Sequence, residues 1–326
     1  MPLTAVSLFS GCGGFDWGVQ QAGIDIIWAN DIDKYAATAY QTILPDVPFC
    51  LSDVREIKTF PQADILIGCY PCTGFSVAAR RRWKDRTNRN LLKTEGNFLY
   101  LEFIRALKQV KPKYFFVENV SGMVSAMDGW FFQRQLEGFK DIGYNPQARL
   151  LKAVEYGSAQ DRKRIFIVGV RNDICNDFQY RFPKPSHGHG ANNEYVTIRD
   201  VIGHMELWPN GSYSTLPYHG HYLTRNRKRS WDQQSFTIVA NLSHVPLHPM
   251  GLPMRYIKKD TWELQGKENR RLSWQECRAL QSLPEALVPE GPLSAKYKVI
   301  GNAVPPIYAS AIVAPVIAFE NCLQAP

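Results

Sequence analysis

The stretch ILIGCYPCTGFS, residues 65–76, closes an apolar run on a Pro-Cys pair. A cysteine presented there can serve as a nucleophile in its thiolate form. Cys69 and Cys72 also make a C-x-x-C pair, which can be half of a zinc site, a thioredoxin-like dithiol, or two inert buried thiols. Zinc lacks a second pair or nearby histidine to complete four ligands, so no metal is expected; the dithiol stays open as an alternative. Pro71 stops the run and leaves Cys72 facing the crevice beyond it. Glu118, followed by Asn119, ends another apolar run, KYFFV. A carboxylic acid in that position can have a raised pKa and can protonate or hydrogen-bond a ring nitrogen, the alternative being a helix-capping pair. Arg162 and Arg164, in SAQDRKRIFIVGV, alternate along an extended chain, so both side chains can enter one crevice. Arginine suits a phosphate or a carbonyl oxygen, and a solvated basic turn is the plain alternative.

A second group of residues suits a nucleoside. In LFSGCGGFDWG, Gly11, Gly13 and Gly14 lie between a strand and a helix, where missing side chains let a ligand approach the backbone. The spacing is not the G-x-G-x-x-G dinucleotide fingerprint. The next strand ends in ANDID, placing Asp31 roughly 20 residues after the glycines, where a carboxylate can accept hydrogen bonds from ribose hydroxyls. Asp53, in LSDV, is placed to reach an adenine amino group or to cap a turn.

These groups need elements to carry them. The runs AVSLF, IDIIWAN, ADILIG, KYFFVEN and RIFIVGV read as strands covered on both faces. FDWGVQQAG, KYAATAYQTIL, NFLYLEFIRALKQV and FFQRQLEGFKDIG, between them, have helical spacing. Strand-helix alternation predicts an α/β fold, a doubly wound, mostly parallel sheet whose ligands bind beyond the carboxyl ends of its strands. From about residue 180 the chain turns rich in Pro, Gly, His and Asn, with short β-like pieces, until SWQECRALQSL; the apolar tail AIVAPVIAFENCL reads as a helix returning to the first domain. The expected division is a domain of residues 1–182 closed by 297–326, with a smaller domain and hinge over 183–296.

At 326 residues the chain can bury a sizeable core, and a net charge of +8 suggests a polyanionic partner. Seven scattered cysteines and an N-terminus without a charged and apolar leader point to reduced thiols and no secretion. No uninterrupted apolar run approaches the roughly 20 residues of a membrane span.

Six segments in order, FSGCGG, PC, ENV, QDRKR, RRLSWQECRALQSLP and KYKVIGNAVPP, make the chain resemble the DNA (cytosine-5) methyltransferases of bacterial restriction-modification systems over nearly its whole length. The resemblance implies S-adenosyl-L-methionine as cofactor, S-adenosyl-L-homocysteine as product and double-stranded DNA as substrate. It makes Cys72 the nucleophile on C6 of a flipped-out cytosine, Glu118 the acid engaging N3 and the exocyclic amine, and Arg164, supported by Arg162, the holder of the base. It assigns the cofactor to Phe9, Ser10, Gly11, Gly13, Gly14, Asp31, Ile32, Asp53, Val54, Pro71, Asn302 and Ala303.

Two basic stretches bear on DNA. ARRRWKDRTNRNLLK, directly after Cys72, carries Arg81 and Arg89, expected to neutralise phosphates from a loop that closes over DNA in the family. LTRNRKRSWDQQSFTIVANLSHVPLHP resembles the recognition segment of GGCC-reading members, with Arg225 and Arg227 expected at guanines. Tyr70 and Thr73 depart from the residues usual around the nucleophile, and the Gly-Arg common before "HP" in GGCC readers is absent. A bacterial cytoplasmic monomer, associated with the nucleoid through DNA and sharing its target with a restriction endonuclease, is the expected context. The remaining alternatives are a tRNA methyltransferase of the same fold, a catalytically dead DNA-binding relative, and a C-x-x-C redox protein.

Overall fold

Short apolar runs with residues of high strand preference become β1 (Thr4–Leu8), β2 (Asp25–Asp31), β3 (Phe49–Leu51), β4 (Ile65–Gly68), β5 (Tyr114–Val120), β6 (Tyr144–Lys152), the two-residue β7 (Gln160–Asp161) and β8 (Lys163–Arg171). The computed structural model describes residues 2–71, 89–174 and 177–324. All of these strands except β7 join one sheet in the order β3-β2-β1-β4-β5-β8-β6. Pairing from β3 through β5 is parallel, and β8 runs antiparallel to both β5 and β6. The expected mostly parallel α/β sheet is therefore present, with β8 as its reversed strand.

The strand sequences alternate between two cores, as a pleat with period two requires. Ile65, Ile67, Tyr114 and Phe116 pack with Phe15, Val19, Tyr308 and Ile312 on one face. Leu66, Phe115 and Val117 pack with Phe103, Leu107 and Phe139 on the other. The first face is covered by α1 (Gly14–Gln21), with α2 (Lys34–Ile43) beside it; α3 (Tyr100–Val110) and α4 (Trp130–Asp141) cover the second. Three more helices follow late in the chain: α5 (Trp274–Leu280), α6 (Leu293–Asn302) and α7 (Pro306–Gln324). The last returns to lie against α1, and the approach is so close that a Cβ on Gly18 would collide with the Pro306 carbonyl oxygen.

An 18-residue window within Leu293–Leu323 reaches a mean hydropathy of 1.5, apolar enough by length and composition to cross a bilayer. Half of it is buried inside the fold, where Tyr308, Ala309, Ile312, Val313 and Val316 are fully enclosed, as in a core helix. The segment between β8 and α5 is sparse in regular structure. It holds β9 (Ser235–Phe236), which pairs with β7, and a hairpin of β10 (Arg255–Lys258) and β11 (Thr261–Glu263). Tyr222, Leu247 and Met254 make a small apolar cluster there, separate from the two large ones.

Phe103 is fully buried and packs edge-on against Phe115 and Phe139, with Gly68 beneath its ring. Phe103→Ala should lower unfolding stability by ~3–5 kcal/mol, as large buried truncations do. Leu323→Ala, at a residue 64% exposed, should change it by less than ~0.5 kcal/mol. Urea unfolding of the two variants beside the parent checks both, and equal midpoints would remove Phe103 from the core.

Candidate active site

The carboxyl ends of β1, β2, β4 and β5 open onto a single cleft of about 680 Å³. Phe9, Ser10, Gly11, Asp31, Ile32, Asp53, Val54, Pro71, Glu118, Arg162, Arg164, Asn302 and Ala303 all line it. Cys72, Arg81 and the side chain of Arg89 lie outside the described residues, although Cys69, Tyr70 and Pro71, which lead to Cys72, line the cleft.

The β1–α1 turn is shaped by positive φ at Phe9 (56°), Gly11 (56°) and Gly13 (81°), and its glycines serve different purposes. A Cβ on Gly11 would meet nothing within 4 Å, so its absence leaves open space at the cleft. Gly13 and Gly14 do not line the cleft but face inward: a Cβ at Gly13 would crowd the Tyr40 ring, and one at Gly14 would strike the Val304 carbonyl oxygen. Behind the turn, Asp16 is fully buried, accepting from Ser7 Oγ at 2.7 Å and Tyr40 OH at 2.9 Å. Burial pushes its pKa up to about 7, against the pull of those two bonds.

Asp31 joins the turn to β2. Its Oδ2 accepts from the Gly11 N–H and its Oδ1 from the Asp33 N–H, both at 2.8 Å. Burial raises its pKa despite these donors. Asp53 caps a short 3-10 turn through the Arg55 N–H and pairs with the Arg55 guanidinium at 2.6 Å, which holds its carboxyl below the ordinary value. Arg55 reaches on to Glu95 at 3.2 Å. Lys298, on α6, bonds Asp33 Oδ2 at 2.7 Å and so fastens the Asn302–Ala303 end of the chain beside the α2 N-terminus.

The antiparallel β5–β8 register sets Arg164 opposite Val120, diagonal to Glu118 on the same face. Arg164 Nε lies 2.9 Å from Glu118 Oε1 in a largely buried ion pair, but without the alignment of a hydrogen bond, so Oε1 keeps an unfilled acceptor. Arg162 is buried deeper, donating to the carbonyl oxygens of Gly301 at 3.2 Å and Ile238 at 3.5 Å. Burial first, and then Arg164, push its pKa down to about 9. Arg162 therefore braces the wall of the cleft, and Arg164 meets Glu118. Arg225 is exposed at some remove from this cleft, whereas Arg227 is buried against Tyr222.

Sequence reasoning passed over Asn119 and Tyr70 as contributors. Asn119 Nδ2 donates to the Tyr70 carbonyl oxygen at 3.2 Å, tying the end of β5 to the exit of β4. The Tyr70 hydroxyl in turn donates to Gln135 Oε1 of α4 at 2.5 Å. Asn119 sits beside Glu118 in ENV, which was the available signal; Tyr70 offered none beyond being an unusual residue before Pro71.

Residues 3–318 match the C-5 cytosine-specific DNA methylase family. The chain belongs to that family. It is a DNA cytosine-5 methyltransferase with an α/β methyltransferase fold. The Type II methyltransferase M.BspRI of Lysinibacillus sphaericus is 38% identical, over 95% of this chain and 80% of that one. M.BsuRI of Bacillus subtilis, also a Type II methyltransferase, is 38% identical over 96% of this chain and 79% of that one. Among solved structures, the Entamoeba histolytica methyltransferase EhMeth matches with a TM-score of 0.73 at 14% identity, covering 100% of both chains. That likeness is one of fold. Among the described residues no group of three or more His, Cys, Asp or Glu is placed to hold a metal ion.

The two kinds of glycine in the turn predict two phenotypes. Gly14→Ala should lower the thermal midpoint by several degrees because α1 would have to part from the Val304 backbone. Gly11→Ala meets no atom and carries only the strain of its positive φ, about 1 kcal/mol, so its midpoint should lie clearly above that of Gly14→Ala. Thermal scans of both variants make the comparison, and the reverse order would refute the assignment of Gly14 to packing.

Proposed function

We propose that this cleft binds S-adenosyl-L-methionine and a cytosine flipped out of duplex DNA, and that Cys72, Glu118, Arg162 and Arg164 carry out C5 methylation there. The observation that carries the reading is the meeting, in one cleft, of the Glu118–Arg164 pair, the Pro71 exit that leads to Cys72, and the open Gly11 turn with Asp31. The residues fit the cofactor: Gly11 leaves room for a ligand at the backbone, and a strand-end carboxylate at Asp31 suits ribose hydroxyls. Phe9, Ser10, Ile32, Val54, Pro71, Asn302 and Ala303 complete its walls, with Gly13 and Gly14 supporting the turn from behind. Asp53 reaches an adenine amino group with whatever acceptor capacity its pairing with Arg55 leaves. When bound, S-adenosyl-L-methionine supplies the methyl group and leaves as S-adenosyl-L-homocysteine.

The rest of the chemistry belongs to the chain and the base. The Cys72 thiolate adds to C6 of cytosine, which makes C5 nucleophilic. Glu118 engages N3 and the exocyclic amine and so stabilises the enamine. Arg164 holds the base, and Arg162 keeps the wall behind it in place. Loss of the C5 proton and expulsion of Cys72 then restore the aromatic ring. The base must leave the stack because C6 is inaccessible inside a duplex.

Recognition falls to the segment between the two parts of the catalytic domain, taken as 183–296 with 1–182 and 297–326 on either side. Arg225 and Arg227 contact guanines in a GGCC-like target, while Arg81 and Arg89 grip phosphates. Arg227 reaches a base only by giving up its bonds to the carbonyl oxygens of Tyr222 and His244; Arg225 is already exposed. A monomer in a bacterial cytoplasm, held to the nucleoid by DNA and paired with an endonuclease of the same specificity, is the context this function implies.

Bisulfite sequencing of plasmid from cells expressing the chain tests activity and target together. Protected cytosines should fall within GGCC. Cys72→Ala should abolish them yet still bind duplex DNA, Cys69→Ser should keep substantial activity, and Glu118→Gln should lower turnover by orders of magnitude. Arg225→Ala should relax the target at one base pair, a loss of roughly 1–3 kcal/mol of discrimination. Methylation persisting in Cys72→Ala would overturn the mechanism, and protected cytosines in another sequence would overturn the GGCC assignment alone.

A further inference from the structure

Away from the cleft, three histidines converge. The rings of His219 and His221 stand 6.3 Å apart with planes 11° from parallel, and His244 closes the triangle at 5.7 and 5.4 Å. His244 comes from a different stretch of chain, so a scaffold must hold the two together. Tyr222 is that scaffold. Its hydroxyl donates to the Val245 carbonyl oxygen at 2.8 Å, its N–H donates to His219 Nδ1 at 3.2 Å, and its own carbonyl oxygen accepts from Arg227 Nε at 2.9 Å. Arg227 also reaches the His244 carbonyl oxygen at 3.5 Å. The Tyr222 ring is fully buried, with the guanidinium groups of Arg227 and Arg271 each 4.8 Å from its centre. This buried frame presents imidazoles outward: His219, His221 and the adjacent Arg225 are exposed, and His244 is half-buried.

The chemistry of the triangle favours an anion. No group of three or more His, Cys, Asp or Glu among the described residues is placed to hold a metal ion. Because His219 Nδ1 accepts from the Tyr222 N–H, the neutral ring carries its proton on Nε2, on the side away from that backbone bond. The charged groups acting on His244 are Arg227, His221, His219 and Arg225, a wholly cationic or imidazole surround. Burial first, and then these neighbours, push its pKa down to about 4, so it is neutral at pH 7 until negative charge arrives.

We propose that His219, His221 and His244 form a phosphate-binding site that grips the DNA backbone beside Arg225 and takes up a proton as the phosphodiester docks. It rests on the reading of Arg225 and Arg227 as DNA-facing. A phosphate beside an imidazole favours the imidazolium, so the bound state holds more protons than the free one. Affinity must then rise as pH falls, and each proton fully linked to binding contributes a tenfold change per pH unit.

The test is calorimetric titration of the full chain with a short GGCC duplex at pH 6.5, in buffers of different ionisation enthalpy, with affinity followed from pH 8 to 5.5. The wild-type chain should take up protons on binding and should bind more tightly as pH falls. H221Q, at an exposed position, should reduce both effects while melting at the parent temperature, and H219Q/H221Q should flatten the pH profile further. Glutamine keeps a hydrogen-bond donor but does not titrate, so retained affinity at pH 8 with lost proton uptake is the signature. A second arm adds millimolar inorganic phosphate. If phosphate alone drew the same proton uptake and H221Q left the duplex profile unchanged, the site would be one for free phosphate and the proposal would fall. It would fall equally if wild-type binding released no heat of proton uptake between pH 6 and 8; with methyl transfer intact, that result leaves the methyltransferase reading standing. Failure of duplex binding at every pH together with absent methylation would overturn both.

Discussion

Parallel pairing of β1, β2, β4 and β5 is the constraint on which the rest of the molecule depends, because it delivers four strand ends to one edge of the sheet. Strands alone leave those ends free to splay. Three polar ties hold them: Asp31 receives the Gly11 N–H across β1 and β2, Asn119 donates to the Tyr70 carbonyl oxygen across β4 and β5, and Lys298 pairs with Asp33 across the two halves of the chain. The first two each satisfy a backbone group just beyond a strand end, and the third ties the helix bearing Lys298 to the cap of α2. The cleft edge is thus cross-tied, and the exit of β4 that leads to Pro71 is held to the end of β5.

The reversed strand β8 adds what a purely parallel sheet could not. Running back from the cleft edge, it starts with Lys163 and Arg164, so a guanidinium arrives beside Glu118 at the very edge where the parallel strands end. Arg162, one step earlier, is sealed inside. Even with its pKa pushed down to about 9 it is charged at neutral pH, and its bonds to the Gly301 and Ile238 carbonyl oxygens are charge-assisted. Such bonds contribute about 1.5–3 kcal/mol each. Desolvating the guanidinium offsets much of that, so Arg162 acts mainly through where it holds those two carbonyls.

Much of this was legible in the sequence, and the boundary has physical causes. The runs that became β1, β4, β5 and β8 are almost wholly buried and so read as apolar stretches, and β2 is apolar from Ile26 to Ala29 although Ile27 and Trp28 are only half-buried. β3 has only three residues, and β6 is an edge strand bearing Pro146, Arg149 and Lys152 with much of its length exposed, so neither carries a strong period. Strand-end residues such as Asp31 and Glu118 were readable because position along a run predicts position at an edge. Partners were not: Arg55 at Asp53, Gln135 at Tyr70 and the meeting of His244 with His219 depend on side-chain placement that no spacing encodes. The three glycines looked equivalent in sequence, yet only Gly11 faces the cleft.

The join between the sheet and the variable segment follows the same logic with buried polar groups in place of apolar ones. Gln160, Arg162 and Gln281 are almost fully enclosed. Gln160 accepts from the Ile238 N–H at 2.8 Å and donates to Gln281 Oε1 at 2.9 Å, and Gln281 itself donates to the Ile300 carbonyl oxygen. Arg162 spans the same gap from Gly301 to Ile238. Apolar contact tolerates sliding, whereas a chain of satisfied buried hydrogen bonds is directional and loses its partners when one member shifts. A directional joint built at the foot of β8, two residues from Arg164, holds the variable segment in register with the sheet edge where Arg164 meets Glu118.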